Sequence, residues 1–150
     1  LVRDDTKYRT RKDLNCYSRE GSFEATSVEL PQHNLVATSV YRSPNSSKTD
    51  FNRHLDRFSR RIGEEPHKNH AIGGDFNIDR NRNTMTKQVL KKHDLQYNVR
   101  GATHDGGKCL DNFITDFQPV KARVMRNTSL SDHRPVEIHL PKASSSRCRR

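Results

Sequence analysis

The sequence predicts an α+β fold in which sheet layers carry peripheral helices, and three observations predict it. Strand-like runs outnumber helix-like ones, the two helical segments fall between strands, and only 30% of the 150 residues are hydrophobic. A chain of this length makes one domain of ordinary size, with a thin core.

Phe23 to Leu30 and Leu35 to Tyr41 read as two strands joined by Pro31-Gln32-His33-Asn34, a turn-rich link that predicts an antiparallel pair. In the second run Val36, Thr38 and Val40 face one way, and Leu35, Ala37, Ser39 and Tyr41 the other. Arg42-Ser43-Pro44-Asn45 cannot continue it. Ser47 to Asp50 fits a capping pattern, and Phe51, Leu55, Phe58 and Ile62 follow at helical spacing, with Arg53, Arg57, Arg60 and Arg61 on a solvated face. Ala71 and Ile72 then enter a buried strand ending in Gly73-Gly74-Asp75-Phe76-Asn77-Ile78. Period-two alternation points Asp75 and Asn77 to one side, and the glycines admit something large, a phosphate or a neighbouring backbone. Thr84 to His93 reads as a short helix anchored by Met85, Val89 and Leu90. Leu95 to Val99, Leu110 to Thr115, Val120 to Met125 and Pro135 to Leu140 are further strands, with a glycine-rich loop at Gly101 to Gly107. Residues 141–150 are a polar, basic tail expected to be disordered.

The net charge of +10, spread along the chain, makes polyanions the natural partner class and predicts salt-sensitive binding. Cys16, Cys109 and Cys148 are an odd set without a C-x-x-C pair, which argues against a zinc knuckle or disulfide scaffold and for a reducing compartment. No run approaches a membrane span, and the first residues lack the apolar core of a secretory signal, so a soluble, intracellular protein without membrane partners is expected.

Four segments put chemically useful residues at strand ends: Tyr41-Arg42-Ser43-Pro44, Gly74-Asp75-Phe76-Asn77, Leu110-Asp111-Asn112-Phe113 and Ser131-Asp132-His133-Arg134-Pro135. A phenol, carboxylates, an amide and a carboxylate–imidazole pair are what metal-assisted phosphodiester hydrolysis uses. Taken singly, Tyr41 reads as a strand-end aromatic, Asp111 as a turn cap and Asp132 as a loop acid beside Arg134. Their joint occurrence lifts them, whereas the other histidines, including His54, His70 and His104, have no such company.

In this order and spacing, from about Leu1 to Leu140, the segments resemble the C-terminal part of the endonuclease/exonuclease/phosphatase family. The resemblance is greatest to the apurinic-type endonuclease domain of non-LTR retrotransposons, with its V-Y-x-x-P, G-D-F-N, D-N and S-D-H motifs. It implies a two-layer β-sandwich with peripheral helices and Mg²⁺-dependent hydrolysis of DNA, with Mn²⁺ as an alternative ion. By the same resemblance His133 contacts the scissile phosphate and helps activate water, with Asp111 on its other ring nitrogen. Asp75 positions or deprotonates the nucleophile or assists the leaving oxygen, Asn77 holds a phosphate oxygen, and Tyr41 stabilises developing charge. Asp132, with Asp75, holds the metal.

The resemblance implies further that residues 1–140 form a partial domain whose N-terminal part is missing. With that part go an early Asn and the Glu that is the family's principal Mg²⁺ ligand. Glu20, Glu24 and Glu29 lie in or near segments matching later strands, so none takes that role. Hydrolysis is therefore expected to be weak or lost. The expected partners are DNA, or RNA in its place, together with the missing N-terminal half or a reverse transcriptase, in the nucleus. Two rivals stand beside this reading: a basic nucleic-acid-binding remnant without catalysis, and a superfamily phosphatase or phosphodiesterase acting on lipids or small phosphoesters. The charge without an amphipathic membrane stretch favours the long polyanion over the lipid.

Overall fold

The computed structural model describes residues 1–126 and 131–140, so the expected tail at 141–150, with Cys148, lies outside the described residues. Near the N-terminus a two-residue strand, β1 (Arg9–Thr10), and a one-turn helix, α1 (Lys12–Asn15), lead into β2 (Glu24–Leu30). Strand β3 (Leu35–Tyr41) pairs antiparallel with β2 from Leu30↔Leu35 to Glu24↔Tyr41. The link between them is a 3-10 turn over Pro31–His33 closed by Asn34 at φ 47°, a left-handed value that Asn tolerates.

Helix α2 (Lys48–Ile62) starts where the Ser47 hydroxyl accepts the Asp50 N–H at 3.2 Å. Its spacing turns Phe51, Leu55, Phe58 and Ile62 onto Phe23, Val36, Val40 and Ile72, which form one core cluster. Each of these apolar side chains contributes about 1.5–3 kcal/mol by leaving water. Strand β4 (Asn69–Asp75) then returns parallel to β3, with Tyr41 opposite Asp75.

Helix α3 (Thr84–Lys92) is capped by Asn83, whose carbonyl accepts the Thr86 N–H at 2.9 Å. It buries Thr86 and Leu90, while Met85 is exposed. Met85, expected as an anchor, lies five residues before Leu90, about 140° round the helix, whereas Thr86 is only about 40° away.

Strand β5 (Gln96–Tyr97) and β6 (Asp111–Thr115) complete a six-stranded mixed sheet of order β1-β2-β3-β4-β6-β5. The strand expected over Leu95 to Val99 shortens: the Asn98 N–H still meets the Phe113 carbonyl at 2.9 Å, but the Val99 N–H bonds the buried Asn112 side chain at 3.0 Å. Strands β7 (Lys121–Val124) and β8 (Val136–His139) make a separate antiparallel pair.

Helix α2 covers one face of the large sheet. The other face, with Thr26, Val28, Ala37, Ser39, Ala71 and Phe113, floors an open trough of about 1170 Å³ that Val136 and Ile138 of β8 border. At the sheet end remote from Asp75, Glu29 pairs with Arg9, Arg11 and Lys68, and buried His70 bonds Asp116 at 2.7 Å and Glu65 at 3.3 Å. Among the described residues, no helix is long and apolar enough to cross a membrane.

Candidate active site

Register puts four polar side chains in one row across the sheet: Glu24 opposite Tyr41, Tyr41 opposite Asp75, and Asp75 opposite Asp111. Directly opposed residues share a face. That face is the one the trough opens onto, and Asp75 and Asp111 stand at its end. Glu24 is two strand spacings from Asp75, about 10 Å, and its carboxylate accepts the Gly21 N–H at 2.9 Å. Tyr41 is exposed and borders a cleft with Glu20 and Glu24.

The GGDFNI stretch divides its work residue by residue. A Cβ on Gly74, at φ +155°, would overlap the Val40 carbonyl oxygen and lie 2.8 Å from its carbon, so this glycine makes room for the β3 backbone. A Cβ on Gly73 would come within 2.5 Å of Phe113 Cδ1, so the Phe113 ring lies across that gap. Phe76 and Ile78 enter the core, Phe76 edge-on to Phe51 with ring centroids 6.0 Å apart. The neighbouring-backbone reading of the glycines holds for Gly74, and a side chain fills the space over Gly73.

Asp75 and Asn77 do not share a continuing strand. The Asp75 carboxylate accepts the Asn77 N–H at 2.9 Å, which ends β4 in a turn, and Asn77 sits at φ 46°. Its side-chain amide donates to the Arg42 carbonyl at 2.7 Å, and Arg42 Nη1 donates back to the Asn77 carbonyl at 3.1 Å. Arg42 is only 1% exposed and also bonds the Ser46 carbonyl. The expectation that alternation aims both side chains from one strand is therefore corrected, since the turn rather than the pleat places Asn77.

His133 meets both carboxylates of the sheet. Its Nδ1 lies 2.7 Å from Asp111 Oδ2, and because an ionised carboxylate only accepts, Nδ1 carries the proton. The other nitrogen, Nε2, is 3.8 Å from Asp75 Oδ2, too far for a hydrogen bond and near enough for attraction. The bond to Asp111 raises the His133 pKa above its ordinary value, with burial working against it. Burial raises Asp75, the Asn77 N–H opposes this, and the nearby Asp111 charge adds to it. Asp132 is exposed, and its bond from His104 lowers its pKa.

The donor set fits a divalent ion. Among the described residues Asp75, Asp111 and His133 form one group with ligand atoms within 4.8 Å of one another, and His104, Asp132 and His133 form a second. Asp75 and Asp132 thus fall in different groups that share His133. His104, expected to be without company, belongs to this site, its ring edge-on to His133 at 5.1 Å. Buried Arg42 supports the site with only one local sequence signal, a polar residue at a strand end two residues before Pro44.

Solved structures share the fold that carries this arrangement. The endonuclease domain of TRAS1, a telomere-specific non-LTR retrotransposon, superposes with a TM-score of 0.71 at 16% identity, covering 92% of this chain and 68% of that one. An endonuclease/exonuclease/phosphatase family protein from Leptotrichia buccalis gives 0.60 at 19%, over 78% of this chain and 52% of its own. The chain has the endonuclease/exonuclease/phosphatase fold.

A beta toxin from Staphylococcus aureus, determined with bound magnesium ions, shares the fold at a TM-score of 0.54 and 17% identity, over 79% of this chain and 57% of that chain. The chain thus spans between about half and two thirds of the length of these endonuclease/exonuclease/phosphatase-fold proteins. No family model matches the sequence, and no curated protein matches it.

Proposed function

We propose that this chain carries the phosphate-handling part of a DNA endonuclease of the non-LTR retrotransposon type, with weak hydrolysis on its own. The observation that carries the reading is His133, bonded through Nδ1 to Asp111 at 2.7 Å while Nε2 faces Asp75. Such an imidazole is oriented by one carboxylate and presents its free nitrogen to a substrate oxygen.

In this reading His133 Nε2 contacts the scissile phosphate and Asp75 takes or directs the proton of the attacking water. The raised pKa of Asp75 makes it a better proton acceptor than an ordinary aspartate. Asn77 borders the phosphate from its turn, and Tyr41, exposed at the end of β3, faces charge developing on the phosphoryl group. Asp75 and Asp132, which stand in separate groups on either side of His133, would hold Mg²⁺, or Mn²⁺ in its place, one of them directly and the other through water, and the ion would stabilise phosphoryl charge by several kcal/mol. Among the described residues no Glu joins the carboxylate–imidazole groups: Glu20 and Glu24 border the cleft at Tyr41, where Glu24 accepts the Gly21 N–H, and Glu29 is held in ion pairs at the far end of the sheet. That shortfall sets the expectation of slow turnover.

A long polyanion is favoured as substrate by the charge of +10 and by Lys48, Arg82 and Lys108, which line a cleft beside Asn77. The test is a comparison of substrates. Supercoiled plasmid and phosphoinositide vesicles are each incubated with the chain and Mg²⁺ over a range of salt. Binding to plasmid that weakens steeply with salt, with slow nicking and no phosphoinositide release, is expected. Release of phosphate from the lipid at a rate above nicking refutes the DNA assignment.

A further inference from the structure

Two imidazole–carboxylate pairs stand side by side in the site. The first is His133 with Asp111; the second is His104 with Asp132, Nε2 to Oδ2 at 2.9 Å. The segments bearing them are fastened together by backbone. His104 and His133 form an isolated antiparallel bridge, Asp105 N donates to the Asp132 carbonyl at 3.0 Å, and Arg134 N donates to the Thr103 carbonyl at 2.7 Å.

The tautomer of His104 follows from its other contact. Its Nδ1 accepts the Gly106 N–H at 3.0 Å, so Nδ1 holds a lone pair and the ring proton is on Nε2, aimed at Asp132. Gly107, at φ +80°, closes this turn by donating to the His104 carbonyl at 2.9 Å. With Nε2 occupied by a proton, His104 is poorly placed to bind an ion itself, and well placed to hold a carboxylate that does. Asp132 needs such a hold, because 65% of its side-chain surface is exposed and an exposed carboxylate samples several rotamers. Thr103, fully buried, supports the same arrangement: its hydroxyl accepts the N–H groups of Leu110 and Asp111 at 2.9 and 3.0 Å, which fixes the start of the strand that carries Asp111.

We propose that His104 is a positioning residue: its Nε2–H fixes the Asp132 carboxylate for a divalent cation, and its ring edge braces His133. The inference rests on the phosphodiester reading above, since it assigns Asp132 to the metal. Removing a hydrogen-bond partner behind a ligand costs roughly 10–100-fold in metal affinity.

The test uses Mn²⁺ as the probe, with affinity measured by calorimetry on the whole chain. His104→Phe keeps a ring against His133 and loses the N–H; His104→Gln restores an amide N–H near the lost position. Affinity is expected to fall about 10-fold or more in His104→Phe and to recover in large part in His104→Gln. His104→Phe is expected to add no loss to Asp132→Asn, because both remove one interaction. Imidazole ¹⁵N spectra of the metal-free chain are expected to show the His104 proton on Nε2. Wild-type affinity in His104→Phe, an equal further loss in the Asp132→Asn background, or a proton on Nδ1 overturns the proposal. A wild-type chain that binds no Mn²⁺ instead refutes the metal part of the proposed function and, with it, the role given to His104 toward an ion.

Discussion

Gly74→Ala tests how tightly the sheet fixes the strand that carries Asp75. The added methyl would overlap the Val40 carbonyl oxygen, and it would lie 2.8 Å from the Val40 carbonyl carbon and 3.1 Å from its nitrogen. All three atoms belong to the backbone of β3, so no side-chain rotation relieves the overlap, and the strands must part where Val40 pairs with Gly74. Alanine also disfavours φ +155°, a strain of about 1–3 kcal/mol before any clash. Adding lost ladder bonds of about 0.5–1.5 kcal/mol each and disturbed packing gives an expected loss of about 4 kcal/mol or more. A domain stable by about 5–15 kcal/mol would be left marginal or unfolded. The chain has no tryptophan, so urea unfolding is followed by far-ultraviolet circular dichroism. Gly107→Ala is the control, since its φ of +80° is unfavourable but nothing lies within 4 Å of the new methyl; about 1–2 kcal/mol is expected. Gly73→Ala is intermediate, and truncating Phe113 should rescue it, because its clash is with a ring bordering the open trough. A Gly74→Ala midpoint equal to that of Gly107→Ala would refute the reasoning.

Three further outcomes are expected. Asn112→Ala should cost about 2–4 kcal/mol in urea unfolding, because this buried side chain accepts the Val99 N–H at 3.0 Å and donates to the Val99 carbonyl at 2.9 Å, and its removal takes the partner from both groups; a change under about 0.5 kcal/mol contradicts it. In imidazole NMR His133 should titrate above the ordinary histidine value, and Asp111→Asn should bring it down. A raised histidine contributes stability that is full below its unfolded value and lost as pH rises through the folded one, so the variant should flatten that loss; an unmoved titration contradicts the bond. Glu29, held by Arg9, and Asp13, held by Arg11, have pKa values lowered to about 2, so they contribute stability above their unfolded values of 4.5 and 3.8 that fades as pH falls toward about 2. Acid unfolding followed from pH 5 downward should be less steep in Glu29→Gln, and an identical profile would remove this network from the account.

Much of the fold was legible because its signals are local. Leu35–Tyr41 alternates cleanly and stops before a proline, and Ser47 with an apolar residue at each turn marks α2. Strand β1 and helix α1 escaped notice, since two residues and one turn are too short to show a period. The family resemblance supplied the sandwich and the order of the four motifs, and the structure places His133, Asp111 and Asp75 together at the end of the trough. Period-two alternation does not reach Asn77, because the Asp75 carboxylate turns the chain before it. His104 was missed because its contact with Asp132 spans 28 residues and sits in a glycine-rich loop, where no periodicity exists to read.

The central claim, that Asp75 and His133 work on a phosphodiester in DNA, is tested most directly by the rate of Mg²⁺-dependent plasmid nicking in the wild type beside Asp75→Ala and His133→Ala. Slow nicking that chelator stops and that both substitutions abolish is the expected result. Nicking that persists unchanged in either variant, or a wild type that binds plasmid and never cuts it, would contradict the claim.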